Sequence, residues 1–228
     1  MLSNTKFTSM IIPIMLVILT CGCTSTAEDV SVQSSNSPLG IVTETPIVSW
    51  DVPSNYVTHT DSTGLFSISY PPNWREDPYA RGLGLFPTKV LVDRVDAGEP
   101  IEYSGIIFAF GLPSNDSYSP YCDILVESRP DSISSSQQFL QEKIIILDRI
   151  LDEFIELSQY TLIIDGRESA ILEYVSNSSE VEIHSLELYT IFDETIWTTR
   201  CSLREDNADF SDYKEEIENI VMSLKIHR

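Results

Sequence analysis

Basic side chains are scarce in this chain. Fourteen Lys and Arg stand against 35 Asp and Glu among 228 residues, a formal net charge of −21. A nucleic-acid partner needs a basic face for its phosphates, so that class of function is excluded. Glycine is thin too, nine residues spread along the chain, and Gly82-Leu83-Gly84 lacks a basic partner motif, so no phosphate-cradling loop can be read. There is no Gly-x-Ser-x-Gly elbow. Of the three histidines, His59 and His184 fall in predicted strands and His227 is one residue from the end. None stands in a pattern that marks a catalytic base, and the expectation is a non-enzymatic protein with no catalytic residue. No His-x-x-x-His pair or Cys-x-x-Cys occurs, so neither a metal nor another cofactor is expected. Past the N-terminus no run is apolar and long enough to span a bilayer. What is present is a composition of 42% hydrophobic and 21% charged residues, enough to build a packed core over one domain with extensions or at most two small ones.

Residues 1–22 have the three-part layout of an export signal. Lys6 is the only early charge, the apolar run Met10 to Leu19 follows, and the segment ends at Thr20-Cys21-Gly22-Cys23. That ending resembles a bacterial lipobox, in which a small residue precedes a cysteine that receives a diacylglyceryl group. Cys23 has the better cleavage neighbour in Gly22, although Thr20 stands where the pattern prefers leucine. Cys21 has Ile18 and Leu19 well placed but Thr20 at the cut. The reading is lipidation at Cys23, with palmitate among the acyl chains, and Cys21 as the competing site. Several chains on one residue hold a soluble domain on a bilayer, where one chain is marginal. The implied partners are a membrane, through that anchor, and an unknown protein. The implied location is the cell envelope, on the outer face of the cytoplasmic membrane or on the outer membrane. Cleavage would remove one positive charge and no negative one, leaving an acidic surface that keeps an exported protein soluble.

Residues 23–55 read as a tether. Positions 24–55 hold 11 Ser or Thr, with Pro38, Pro46 and Pro53, no Lys or Arg, and no apolar period. Trp50 is the candidate anchor within it. From residue 56 to 228 the pattern is globular. Tyr56–Thr60 and the alternating Leu65–Tyr70 flank the turn residues Asp61–Gly64, and Phe66, Ile68 and Tyr70 share one face of a half-buried strand. Pro71-Pro72 then stops the ladder. Further strands are expected at Lys89–Asp93, Gly105–Phe110 and Tyr121–Glu127. Ser134 to Gln137 fits a capping box opening a helix that runs to about Leu151. Asp165-Gly166 between two β-rich runs is a hairpin turn, because both positions need positive φ. Asp193-Glu194 joins a second hairpin, and an apolar stripe from Phe210 to Leu224 closes the chain as a helix. Strands in hairpins, not alternating with helices, give class α+β, a central antiparallel sheet flanked by helices.

Phe66-Ser67-Ile68-Ser69-Tyr70-Pro71-Pro72-Asn73-Trp74 resembles the opening signature of PsbP-like domains, the photosystem II oxygen-evolving-complex-like family, where a strand ends in a Tyr-Pro-x-x-Trp stretch. Asp165 to Ala170 is similar to that family's hairpin turn with Gly, Arg and a small residue. Ile217 to Ile226 is similar to its final helix running into Ser-Leu/Phe-x-Ile. The three pieces span residues 56–228 in the right order. The resemblance implies an antiparallel sheet with helices on both sides and a leaning toward binding or assembly. It carries over no catalytic residue.

Three further features carry chemistry. Trp74, Tyr79 and Phe86 surround the loop after the first long strand, where they line a shallow apolar groove for a ligand or peptide, or where Trp74 plugs the core. Cys122 and Cys201 both point inward by strand parity. That permits a disulfide if their strands are neighbours and equally suits two separate buried thiols. The acidic run Glu205 to Asp209 with Asp212 superficially suggests Ca²⁺, but lacks the glycine and terminal glutamate spacing of an EF-hand and reads as a helix N-terminus. The primary expectation is an envelope-anchored binding or assembly module. The alternatives are an exported hydrolase whose site is not a sequence motif, or a cation or small-ligand binder.

Overall fold

Asp61 to Gly64 forms a tight turn in which Gly64 takes φ 70° and donates to the Asp61 carbonyl at 2.8 Å. It joins β1 (Val57–Thr60) to β2 (Phe66–Tyr70) in an antiparallel hairpin. A short strand, β10 (Lys225–Ile226), pairs on the other side of β2 and completes a three-stranded sheet. The alternation in β2 predicts one buried face. Instead the whole strand is buried, Ser67 and Ser69 included, because it is the central strand of its sheet and the last helix covers it. Ser69 keeps its backbone polar groups satisfied there, donating N–H to Ser223 Oγ at 2.9 Å and accepting from that hydroxyl at 3.1 Å.

The computed structural model describes residues 46, 50–78, 97, 105–113, 120–178, 181–204 and 209–227. The expected strand Lys89–Asp93, the export signal, Cys21 and Cys23 lie outside them. Residues 43–228 cluster as one unit. Its larger sheet has seven antiparallel strands in the order β3 (Arg75–Glu76), β4 (Gly105–Gly111), β5 (Tyr121–Ser128), β9 (Thr195–Arg204), β8 (Val181–Phe192), β7 (Arg167–Ser178) and β6 (Asp152–Ile164). Asp165 and Gly166 take φ 50° and 75°, the positive values a two-residue hairpin demands, and Asp193 takes φ 50° in the β8–β9 turn.

Helix α1 (Ser136–Ile150) covers one face of this sheet and α2 (Phe210–Met222) the other. The cap of α1 lies one residue later than the sequence reading placed it. Ser135 is the N-cap and accepts from Gln138 N–H, while the Gln138 side chain reaches back to Ser134 N–H at 3.0 Å. Three consecutive serines offer three equivalent caps, and packing of Ser136 against Glu168 selects the middle one. On the α1 side Phe139, Leu140 and Leu147 pack on Ala170, Leu172, Tyr174, Tyr189 and Ile196. On the α2 side Ile217, Ile220, Val221 and Leu224 pack with Phe66, Ile68, Phe110, Ile124 and Trp197 in the main core. Phe66, Ile68 and Tyr70, which share the expected inward face, are buried in that core, together with Ile124, Val126, Leu186, Leu188 and Trp197.

The chain engages this core before residue 56. Trp50 packs against it and donates its indole N–H to Asn219 at 3.0 Å, and the Pro46 carbonyl accepts from Ile163 N–H at 2.9 Å.

Candidate functional site

Of the three aromatics proposed for a groove, Trp74 is described and Tyr79 and Phe86 lie outside the described residues. Pro71-Pro72 ends β2, and a turn closed by Trp74 N–H on the Pro71 carbonyl swings the indole into the core against Phe110. Trp74 is 1% exposed and its indole N–H donates to Glu216 of α2 at 3.2 Å. The side chain is thus a core plug whose outer edge still lines a groove of about 370 Å³ with Val57, Tyr70, Pro72, Arg75 and Glu76. Glu76 organises that rim. It accepts from His59 Nδ1 at 2.9 Å and from the Tyr70 hydroxyl at 3.4 Å. The His59 ring is stacked on Phe108 at 4.0 Å between centroids. Burial, together with the Glu76 charge, pushes the Tyr70 hydroxyl above its ordinary pKa, so it stays a proton donor.

Among the described residues is a buried row of charges that sequence reasoning missed. One register row crosses five strands: Leu172 on β7, Glu187 on β8, Arg200 on β9, Asp123 on β5 and Ala109 on β4. Arg200 donates to Asp123 Oδ2 at 2.6 Å. Asp123 is fully buried, and its Oδ1 meets no hydrogen-bond donor among the described residues. Burial accordingly raises its carboxyl pKa, a rise that Arg200 opposes without cancelling. Glu187, 2% exposed, accepts from the hydroxyls of Tyr174 and Tyr189. Burial and that carboxylate push both phenols upward. Burial works against the Arg200 charge, yet Asp123 and Glu187 outweigh it and raise the guanidinium pKa. The visible signal was three charges at the middle of three strands. What hid it was register, since β5 and β9 are far apart in sequence.

His184 does not stand free either. Its Nε2 meets Glu173 at 3.0 Å, its ring lies flat on Phe210 at 3.6 Å, and Lys214 of α2 bridges both Glu173 oxygens at 3.0 and 3.2 Å. Burial raises the Glu173 carboxyl, but Lys214 and His184 more than reverse that and hold it below its ordinary value. His227 Nε2 meets Ser67 Oγ at 2.9 Å. A serine beside a histidine is half of a nucleophilic set, but no carboxylate orients the other ring nitrogen among the described residues. Among those residues, too, no group of three His, Cys, Asp or Glu side chains is placed to hold a metal ion. Asp209 caps α2, accepting from Ser211 N–H at 2.8 Å, and Asp212 sits in its first turn, while Glu205 and Asp206 lie outside the described residues. Cys122 and Cys201 are direct register partners on β5 and β9 and form a disulfide with Cα atoms 4.0 Å apart. Strand order, which parity alone could not supply, makes them neighbours.

Two layers of helix around an antiparallel sheet, with a second small sheet beside the final helix, define an α+β class in which the groove is lined from β1, β2, β3 and the turn between β2 and β3. The fold is PsbP-like. The structure is similar to that of the cyanobacterial PsbP (CyanoP) of Synechocystis sp. PCC 6803, with 13% identity over 77% of this chain and 94% of that one and a TM-score of 0.50. It is similar also to LpqN of Mycobacterium tuberculosis, a protein involved in cell envelope biogenesis, with 10% identity over 72% of this chain and 83% of that one and a TM-score of 0.50. No family model matches the sequence, and no curated protein does.

Proposed function

We propose that the chain is an exported lipoprotein, anchored at Cys23 on the outer side of a membrane, that acts without catalysis as a binding or assembly module of the cell envelope. The observation that carries this reading is the open groove at Val57, Tyr70, Pro72, Trp74, Arg75 and Glu76. It combines an apolar floor with one positive and one negative side chain at its rim, the make-up of a recognition surface. The export signal and lipobox-like ending supply the address. The fold shared with LpqN, an envelope-biogenesis protein, agrees with that address. The test has two arms. Metabolic labelling with palmitate marks the wild type and is lost in Cys23→Ala; full labelling of that variant transfers the anchor to Cys21. Proteins co-purified from the chain's own membranes with wild type should be lost with Val57→Glu, which puts a charge in the groove while leaving the label intact. An unchanged set of co-purifying chains removes the groove from the reading.

A hydrolase remains the second reading because of the Ser67–His227 contact. A serine-reactive phosphonate probe separates the two. Labelling of the wild type that disappears in Ser67→Ala supports the hydrolase, and no labelling above that variant removes it.

A further inference from the structure

We propose that the outer edge of β6, together with the groove between it and α1, takes up an extended, basic segment of a partner protein as an added strand. β6 is the last strand of the seven-stranded sheet and, among the described residues, pairs only with β7. Between residues 152 and 160 it is mostly exposed, Ile155, Leu157 and Tyr160 being about half accessible. Register shifts interrupt the ladder to β7 between Asp152 and Ile155 and between Glu156 and Ser158, so the regular edge runs from Ser158 to Ile164, and that open stretch is a template for another strand. The edge already makes one backbone hydrogen bond outside the ladder, where Ile163 N–H donates to the Pro46 carbonyl. Because alternate residues of a strand point their N–H groups the same way, Thr161 and Gln159 present theirs outward too. Among the described residues no other backbone bond reaches that edge.

Beside this edge lies a groove of about 260 Å³, walled by Gln137, Leu140 and Gln141 of α1 and by Gln159, Tyr160 and Thr161 of β6. Its position suits the alternate side chains of an added strand, with backbone bonds supplying affinity and the groove supplying selection. Gln141 and Gln159, bonded at 2.7 Å, form its polar floor. Charge decides the occupant. β6 carries Asp152, Glu153 and Glu156 and no Lys or Arg, so a second β6 from another copy would bring like charges together, whereas a segment alternating lysine with apolar residues meets both the carboxylates and the exposed Ile155 and Leu157.

The test is hydrogen exchange on the full-length chain in detergent, read at residues 152–161. The probes are two seven-residue peptides, one alternating lysine with valine and one alternating glutamate with valine. With the lysine peptide at about ten times its Kd, exchange at the outward N–H groups should slow about tenfold, the factor that mass action sets. The glutamate peptide should leave it unchanged. The double variant Asp152→Lys/Glu156→Lys, which alters only exposed positions, should exchange those preferences. Thr161→Pro removes one outward N–H without touching the ladder to β7 and should abolish the protection. Equal protection by both peptides, or by neither, overturns the proposal. So does protection that grows with protein concentration in the absence of peptide, which assigns the edge to a second copy, and protection by phosphatidylglycerol vesicles alone, which assigns it to a lipid surface.

Discussion

The two faces of the seven-stranded sheet hold their helices by different means. Toward α2 the rows are aromatic and aliphatic, with Phe110, Trp197 and the Cys122–Cys201 bridge in one continuous core, and the nearby charges of Glu173, His184 and Lys214 stand at its margin. Toward α1 the hydrophobic cluster is smaller, and the sheet centre beside it is given over to Asp123, Arg200 and Glu187. Burial of a charge is unfavourable unless every partner is present, so the α1 face trades stability for a fixed arrangement of donors and acceptors. The α2 face is a packing solution, and the α1 face an electrostatic one.

The sharpest way to break the α2 face is to open a void in it. Phe110→Ala should cost about 3–5 kcal/mol, since the ring is wholly buried among Tyr70, Trp74 and Phe108, and urea unfolding would measure the loss. A cost under half of that would mean the neighbouring rings close the void. On the α1 face, Arg200→Met should cost about 3 kcal/mol by stranding the Asp123 carboxylate, at the low end for a buried pair because Arg200 is partly open to solvent. Asp123→Leu combined with Arg200→Met should restore most of it. If the double variant were as damaged as the single one, the row would be held by packing and the contrast between the faces would fail. A smaller effect belongs to the cap of α1. Ser135→Ala should remove about 1 kcal/mol, while Ser134→Ala, the cap expected from the sequence, should remove much less.

The finest distinction lies in pH. Glu173 titrates lower in the folded chain than its ordinary 4.5, so its contribution is present above that pH and is lost as pH falls through the depressed value. Asp123 titrates higher than its ordinary 3.8, so the folded state holds its proton longer and stability declines as pH rises from 3.8 through the raised value. The two variants should therefore move the acid limb of a stability profile in opposite directions. Glu173→Gln makes the limb shallower and Asp123→Asn makes it steeper. Chemical denaturation at a series of pH values between 3 and 6 reads both, and slopes that move the same way would refute the assignment.

The hairpins were legible in the sequence because their signals are local. Asp165-Gly166 requires two positive φ angles, and few other dipeptides supply them. The helix stripes were legible for the same reason, and the single slip, Ser134 for Ser135, arose where adjacent serines carry identical information. The separate three-stranded sheet was not legible, since β2 and β10 meet only after nearly the whole chain has folded between them. Nor was the charged row, because Asp123, Glu187 and Arg200 become neighbours only through the order β5-β9-β8. Cys122 and Cys201 show the boundary clearly. Their inward parity could be read from flanking residues, and their adjacency could not. Trp74 was visible as a landmark, but its division between core and groove depends on Glu216, which arrives from α2.

The cross-strand bridge has a mechanical consequence. Cys122 and Cys201 are separated by 79 positions, and the ring they close contains α1, β6, β7 and β8. Tension applied between the N-terminal end of the chain and its last strand passes through the sulfur rung and bypasses everything inside the ring. Fully stretched, those residues would add about 270 Å of contour at the usual rise per residue. While the rung is intact that length stays hidden from the pulling force. A reductant would release it, so a single-molecule extension trace of this protein should lengthen by that increment only under reducing conditions.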